Sequence, residues 1–287
     1  MEIISGSTLS KEIKDALCVE IETLKEKYGR TPKLALILVG DNPDSAKYVN
    51  SKKKACADTG MEGEIYCLPA DSSQKQLLQL IDRLNQDFDT DGILLQLPLP
   101  EHLNTEEALL HIDYKKDADG LHPMNAGKLV DGSEGILPCT PKGIISLLKY
   151  GGVEISGKHA VVLGRSNLVG KPTTQLLLRE NATVTICHTA TNNLPDIVKT
   201  ADILVLAMGN PNVITPAMLK RGVVLVDVAM NWVDDKLGGD LYFARNLPEL
   251  EKIAAAATPV PGGVGPMTIT SLLENTVEIF KGKYQGN

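Results

Sequence analysis

Apolar residues fall into two kinds of rhythm along this chain. Leu9, Ile13, Leu17, Ile21 and Leu24 recur every three or four positions, which predicts an amphipathic helix that stops near Gly29. Leu34 to Val39 is instead an unbroken apolar run of strand length, the pattern of a strand buried on both faces in a parallel sheet. Gly40-Asp41-Asn42-Pro43 then turns into a second helix that carries Tyr48, Val49 and Lys52 to Lys54. The alternation continues with a strand at 64–68, a helix at 73–85, a strand at 93–97 and a short helix at 105–111. Gln96-Leu97-Pro98-Leu99-Pro100 and the run from Asp117 to Asn125 interrupt it as loops, both expected at one edge of the same sheet.

A new unit begins near Thr140. A helix from Pro141 to Tyr150 and a short buried strand at 160–163 lead into Gly164-Arg165-Ser166-Asn167-Leu168-Val169-Gly170-Lys171-Pro172. This strand-to-helix turn has Pro172 in its first helical turn, and exposed amides backed by a helix dipole suit a phosphate. It is not a full G-x-G-x-x-G, since only Gly164 and Gly170 are present. Its context is stronger: a helix at 172–180, a strand at 183–187, a helix to about Ala201, and strands at 203–207 and 223–228 repeat the rhythm of a dinucleotide-binding domain. A helix is expected over 247–256 and a final amphipathic one over 272–280. Between them lies Thr258 to Thr268, where three prolines and three glycines impose an unusual main-chain path, the kind needed where main chain approaches a flat ligand.

Bulk properties narrow the classes. The 287 residues suffice for about two domains. A formal charge of −7 with no basic stripe argues against a nucleic-acid partner. No apolar run is long enough to span a bilayer and the N-terminus lacks a basic lead into an apolar stretch, so no membrane partner and a cytoplasmic location are expected. Cys18, Cys56, Cys67, Cys139 and Cys187 are odd in number and widely spaced, as reduced core thiols would be. No metal-ligand spacing stands out.

Tyr48 and Lys52, four apart on a helix, share a face, and an amine with Lys53 and Lys54 nearby is a reasonable general base near neutral pH. The same residues also read as a solvated basic face, Pro98 and Pro100 as strand stops, and Asp117 and Asp119 as turn decoration. At the end of the second strand of the dinucleotide domain stands His188-Thr189-Ala190-Thr191, without the acid that holds an NAD ribose, while Arg165 lies in the glycine turn; NADP is favoured and NAD remains possible. His188 also reads as a strand-end residue satisfied by backbone.

Together these stretches resemble the bifunctional methylenetetrahydrofolate dehydrogenase/methenyltetrahydrofolate cyclohydrolase family. The resemblance runs from Val39-Gly40-Asp41-Asn42-Pro43 with Ser45, through Tyr48-Val49 with Lys52 and Lys54, Gln96 to Pro100, Asp117 to Asn125, Pro138-Cys139-Thr140-Pro141 and Gly164-Arg165-Ser166, to Pro259 to Thr268. It implies two α/β domains, the second a Rossmann-type parallel sheet, with an active-site cleft between them. Residues 1–139 would form a folate-binding catalytic domain, 140–266 an NAD(P)-binding domain, and the helix over 267–287 would pack back on the first. It also implies homodimers, tetrahydrofolate one-carbon derivatives as substrates and, at this length, no fused formyltetrahydrofolate synthetase.

The family's catalytic lysine corresponds to Lys52, with Tyr48 lining the folate site, Gln96 holding the lysine and Asp119 holding the pterin. Pro261 and Gly262 would touch substrate; Gly164, Arg165, Ser166, His188, Thr189, Gly262 and Gly263 would touch the cofactor. A carboxylate can accept two neighbouring N–H donors of a pterin edge. Hydride loss leaves a cation over two nitrogens, beside which a neutral amine at Lys52 is favoured; it then takes a proton from the attacking water while Tyr48 orients the partners. Thr189 and Ala190 stand where the family commonly has serine and a basic residue, which is expected to weaken the grip on a 2′-phosphate, and Ala229-Met230 replaces glycine-isoleucine before Asn231. The rivals are another two-domain NAD(P) dehydrogenase, acting on a hydroxy or amino acid, and a non-catalytic dinucleotide sensor. The first leaves Tyr48, Lys52, Gln96 and Asp119 together unexplained, and the second predicts loss of the lysine.

Overall fold

The structure, a computed structural model, describes residues 1–211, 213–233, 236–241 and 243–285. In chain order the elements are β1 (Glu2–Ile3), α1 (Gly6–Tyr28), β2 (Lys33–Val39), α2 (Pro43–Asp58), β3 (Glu62–Leu68), α3 (Gln74–Gln86), β4 (Gly92–Leu95), α4 (Thr105–His111), α5 (Pro123–Asp131) and α6 (Cys139–Tyr150). There follow β5 (His159–Leu163), α7 (Gly170–Arg179), β6 (Thr183–Cys187), α8 (Leu194–Val198), β7 (Ile203–Leu206), β8 (Val224–Asp227), β9 (Asn231–Val233), β10 (Lys236–Gly238), α9 (Phe243–Ile253), β11 (Ala256–Ala257) and α10 (Val264–Gln285).

Two compact units result. One comprises residues 12–137 and 269–287, the other 1–11 and 138–268. The sequence places 1–11 with the first domain; here they join the second unit, because β1 pairs with β11 and Ile4 donates its amide to the Ala257 carbonyl. Of the helix expected over 267–287, residues 286–287 lie outside the described residues.

In the unit of residues 12–137 the sheet is parallel, in the order β3-β2-β4. Leu34 to Val39 are buried throughout, as the apolar run predicts, and form a core with Leu77, Ile81, Leu84, Ile93 and Leu95. The chain leaves β2, adds β3 on one side and returns to add β4 on the other, so the loops after β2 and β4 diverge and open a crevice at their carboxyl ends. Helix α10 crosses the start of β4, where Gly92 is close to Thr276 and Ala118. At its far end Arg30 binds Asp91 through both guanidinium nitrogens at 2.8 Å and Lys283 adds a 2.7 Å ion pair to the same buried carboxylate.

The other unit is built on an all-parallel sheet in the order β1-β11-β8-β7-β5-β6. The same divergence arises between β5 and β7, and Val161, Leu163, Leu204, Leu206 and Leu225 anchor its core.

All five cysteines are free thiols. Cys56, Cys139 and Cys187 are buried as expected, but Cys67 is exposed, since alternate residues of the edge strand β3 face outward, and Cys18 is half-buried. Burial pushes the Cys56 thiol up to about 12. No helix among the described residues is long and apolar enough to cross a membrane.

Candidate active site

Asn42 caps α2, its Oδ1 accepting the amides of Asp44 and Ser45 at 3.0 Å, and Pro43 occupies the first turn. Ser45, Val49 and Cys56 are buried, and Lys52 lies on this stripe, three residues after Val49 and four before Cys56. Lys52 is half-buried there, whereas Tyr48, one turn earlier on the same face, is exposed. Lys52 Nζ donates to Gln96 Oε1 at 2.9 Å. Gln96 follows β4 directly; its own amide hydrogen goes to the Ile37 carbonyl, and its Nε2 donates to the Leu97 carbonyl, so Oε1 is turned to the lysine. Lysine and glutamine thus meet at the crevice that the strand order opens. Lys54, by contrast, is paired with Asp58 at 2.6 Å on the exposed side of α2, so its charge is compensated locally, whereas Lys53 has no ion pair among the described residues.

The loop after Lys116 holds two aspartates with different surroundings. Asp117 is buried and accepts the His122 amide at 2.8 Å and Asn125 Nδ2 at 2.9 Å; burial raises its carboxyl above the usual range while these bonds oppose the shift. Helix α5 starts at Pro123, inside the stretch expected to be loop, because His122 Nδ1 accepts the Met124 amide and caps it. Asp119 is half-buried and makes no hydrogen bond or ion pair among the described residues, which leaves its oxygens open to a ligand. Asn275 on α10, which sequence reasoning did not single out, donates to the carbonyls of Ala118 at 2.9 Å and Leu137 at 2.8 Å.

In the other unit the glycine turn borders a cavity of about 560 Å³ lined by Gly164, Arg165, Ser166, His188, Thr189 and Met208 among others. Gly164 has φ +121°, and a side chain there would strike the Ala207 carbonyl; one at Gly170 would strike the Gly164 carbonyl. Ser166 Oγ already accepts the amides of Val169 and Gly170 at the start of α7, whereas those of Arg165, Ser166, Asn167 and Leu168 donate to nothing among the described residues. Successive free amides in such a turn form an anion-binding concavity. Arg165 is the only lysine or arginine among the described lining residues. His188 uses Nδ1 to accept the Ala190 amide at 3.2 Å, the backbone role allowed for it, and lines the cavity beside Thr189.

Pro261, Gly262 and Gly263 line a separate cavity of about 510 Å³ in the same unit, with Ser7 and Asp227 to Met230. The start of α1 closes on this run: Ser7 donates its amide to the Gly262 carbonyl at 2.9 Å, and a side chain at Gly6 would strike the Gly263 carbonyl. Thr268 at its end meets Thr140 at 2.9 Å between hydroxyls, joining two stretches 128 residues apart in sequence.

A parallel sheet with an anion-ready glycine turn at its switch point, on a chain whose other α/β unit positions a lysine on a glutamine, defines a two-domain dinucleotide-binding α/β enzyme. Residues 138–284 match the family described as tetrahydrofolate dehydrogenase/cyclohydrolase, NAD(P)-binding domain, and residues 4–119 match its catalytic domain. The chain belongs to the tetrahydrofolate dehydrogenase/cyclohydrolase family. It is 48% identical over 281 residues to the bifunctional protein FolD of Acetivibrio thermocellus, covering 98% of this chain and 97% of that one. Among solved structures, the bifunctional FolD of Campylobacter jejuni superimposes with a TM-score of 0.95 at 45% identity over 99% of both chains. The Trypanosoma brucei FolD, complexed with NADP cofactor and inhibitor, gives 0.93 at 39% identity over 99% of this chain and 98% of that one.

Proposed function

We propose that this protein oxidises 5,10-methylenetetrahydrofolate to the 5,10-methenyl compound with NADP and hydrolyses that product to 10-formyltetrahydrofolate. The observation that carries this reading is the 2.9 Å bond from Lys52 Nζ to Gln96 Oε1 at the sheet crevice, in a chain of this family. Residues 12–137 with 269–287 take the folate, and residues 138–268 take the dinucleotide.

Each role follows from chemistry. Asp119, with both oxygens available, accepts the paired N–H donors of the pterin. NADP, when bound, accepts the hydride and leaves a cation spread over two nitrogens of the substrate. Gln96 holds Lys52 through an acceptor, so it keeps the amine in place without supplying a charge that would pin it as ammonium. Lys52 as neutral amine therefore avoids repelling the cation, and it accepts the proton released when water adds; Tyr48 lines the folate face and orients the reactants. Pro261 and Gly262 border the substrate, and Gly262 and Gly263 border the nicotinamide end of the cofactor. The free amides of the glycine turn, with Ser166, suit the cofactor phosphates, Arg165 reads the 2′-phosphate, and His188 and Thr189 flank it. With Ala190 in place of a second cation, NADP preference rests on Arg165 and some use of NAD follows.

A cytoplasmic location fits the five free thiols. A homodimer is supported by the outer edge of β3, whose backbone no other strand of the described chain covers.

The test is spectrophotometric. Methylenetetrahydrofolate with NADP gives reduced cofactor, and no signal with either NADP or NAD sinks the dehydrogenase reading. Lys52→Met is expected to lower methenyl hydrolysis by a thousandfold or more with an unchanged melting temperature. Retained hydrolysis removes Lys52 from its central place.

A further inference from the structure

Asp240 is fully buried and no lysine or arginine among the described residues pairs with it. A carboxylate in that position is costly unless donors surround it. It is held by four hydrogen bonds. Oδ2 accepts the amides of Met208 at 2.8 Å and Gly209 at 3.2 Å, Oδ1 accepts Asn231 Nδ2 at 3.0 Å, and the Asp240 amide donates to Asp227 Oδ1 at 3.0 Å. Asp227, itself buried, also accepts the amides of Leu241 and Ala229 and donates its own to Thr258 Oγ1. The partners are thus not scattered through the core: they are the main chain just past β7, the last residue of β8 and the Asn231 side chain that follows it.

Met208 lines the cavity that the glycine turn borders, and Ala207 before it is the residue against which Gly164 packs without a side chain. Moving Met208 and Gly209 moves the wall facing the turn. We infer that Asp240 is a positioning residue for the dinucleotide: its carboxylate fixes the Met208–Gly209 main chain so that the cavity opposite Gly164 keeps its width. This rests on the placement of NADP in that cavity. A neutral side chain of the same shape would keep the acceptor but weaken the bonds, since charge-assisted ones are roughly twice as strong.

Steady-state kinetics separate this role from mere packing. Asp240→Ala is expected to raise the Michaelis constant for NADP more than tenfold, and Asp240→Asn about threefold. Hydrolysis of the methenyl compound, which needs no dinucleotide, stays within twofold in both. Where Asp240→Ala does not accumulate as folded protein, Asp240→Asn decides alone. An unchanged NADP constant in Asp240→Asn, or equal losses of both reactions in either variant, overturns the inference. Arg165→Ala in the same assays keeps the two readings apart: if it leaves NADP and NAD constants alike while the Asp240 variants raise them, the 2′-phosphate assignment fails and the positioning role stands.

Discussion

Asp227 and Asp240 are buried carboxylates held by amide hydrogens, unlike Asp91, which two cations hold, and that difference has a measurable signature at single residues. Burial, with the Asp240 charge adding to it, pushes the Asp227 carboxyl up to about 6 from an ordinary 3.8, against the amides of Leu241, Asp240 and Ala229, which pull it down. Between those values the native state binds a proton that the unfolded chain has released. Stability from this group is therefore fully present below about pH 4 and is lost as pH rises to about 6, a change of about 3 kcal/mol. Asp227→Asn carries no such titration. Whatever its offset, its stability relative to the parent should move in its favour by about 3 kcal/mol between pH 3 and pH 7 in urea titrations. A difference that stays constant with pH contradicts the perturbed carboxyl. Residues of this kind were illegible in the sequence because their partners are main-chain amides, which leave no pattern. Lys52, Gln96 and Asp119 were legible because their chemistry carries motifs, and the family resemblance sharpened a helix spacing that also suited a solvated face.

At the scale of elements the last helix does more than close the chain. Apolar spacing predicts it over 272–280, yet it begins at Val264, inside a run whose prolines and glycines read as loop; Pro266 falls in its first turn, where the missing amide hydrogen costs nothing. Buried Leu272, Leu273, Val277 and Phe280 and the Lys283–Asp91 pair account for its place in the unit of residues 12–137. Asn275 then ties the Ala118 carbonyl, one residue before Asp119, to that helix. Asn275→Ala leaves two buried carbonyls without this donor, which should cost about 2 kcal/mol of stability. It should also raise the Michaelis constant for the folate substrate severalfold while leaving that for NADP unchanged; equal shifts in both would deny the loop a specific part in substrate binding. The long helices and apolar strands followed from local periodicity. The strands β1 and β11 did not, since each has two residues, too few for a pattern; β1 exists only by pairing with β11, 254 positions away, and β11 by pairing with β1 and β8.

Across the whole molecule, each unit has its own parallel sheet, its own core and its own candidate ligand groups. A ligand that binds one native unit stabilises that unit by mass action, by about 2.7 kcal/mol at a hundredfold excess over its dissociation constant. Amides that exchange only when that unit opens should then slow about a hundredfold, because exchange reports the free energy of the opening that exposes them. With NADP alone, the buried strands β5, β7 and β8 are expected to show this slowing in hydrogen-exchange mass spectrometry, with little change in β2 and β4. A folate substrate analogue alone should give the reverse pattern, since Lys52, Gln96 and Asp119 all lie in the other unit. Equal protection of all five strands by either ligand would mean that the chain opens as one cooperative body. The two reactions then could not be weakened independently by loosening one unit, and the separate effects expected of the Asn275 and Asp240 variants would have to arise within the native state.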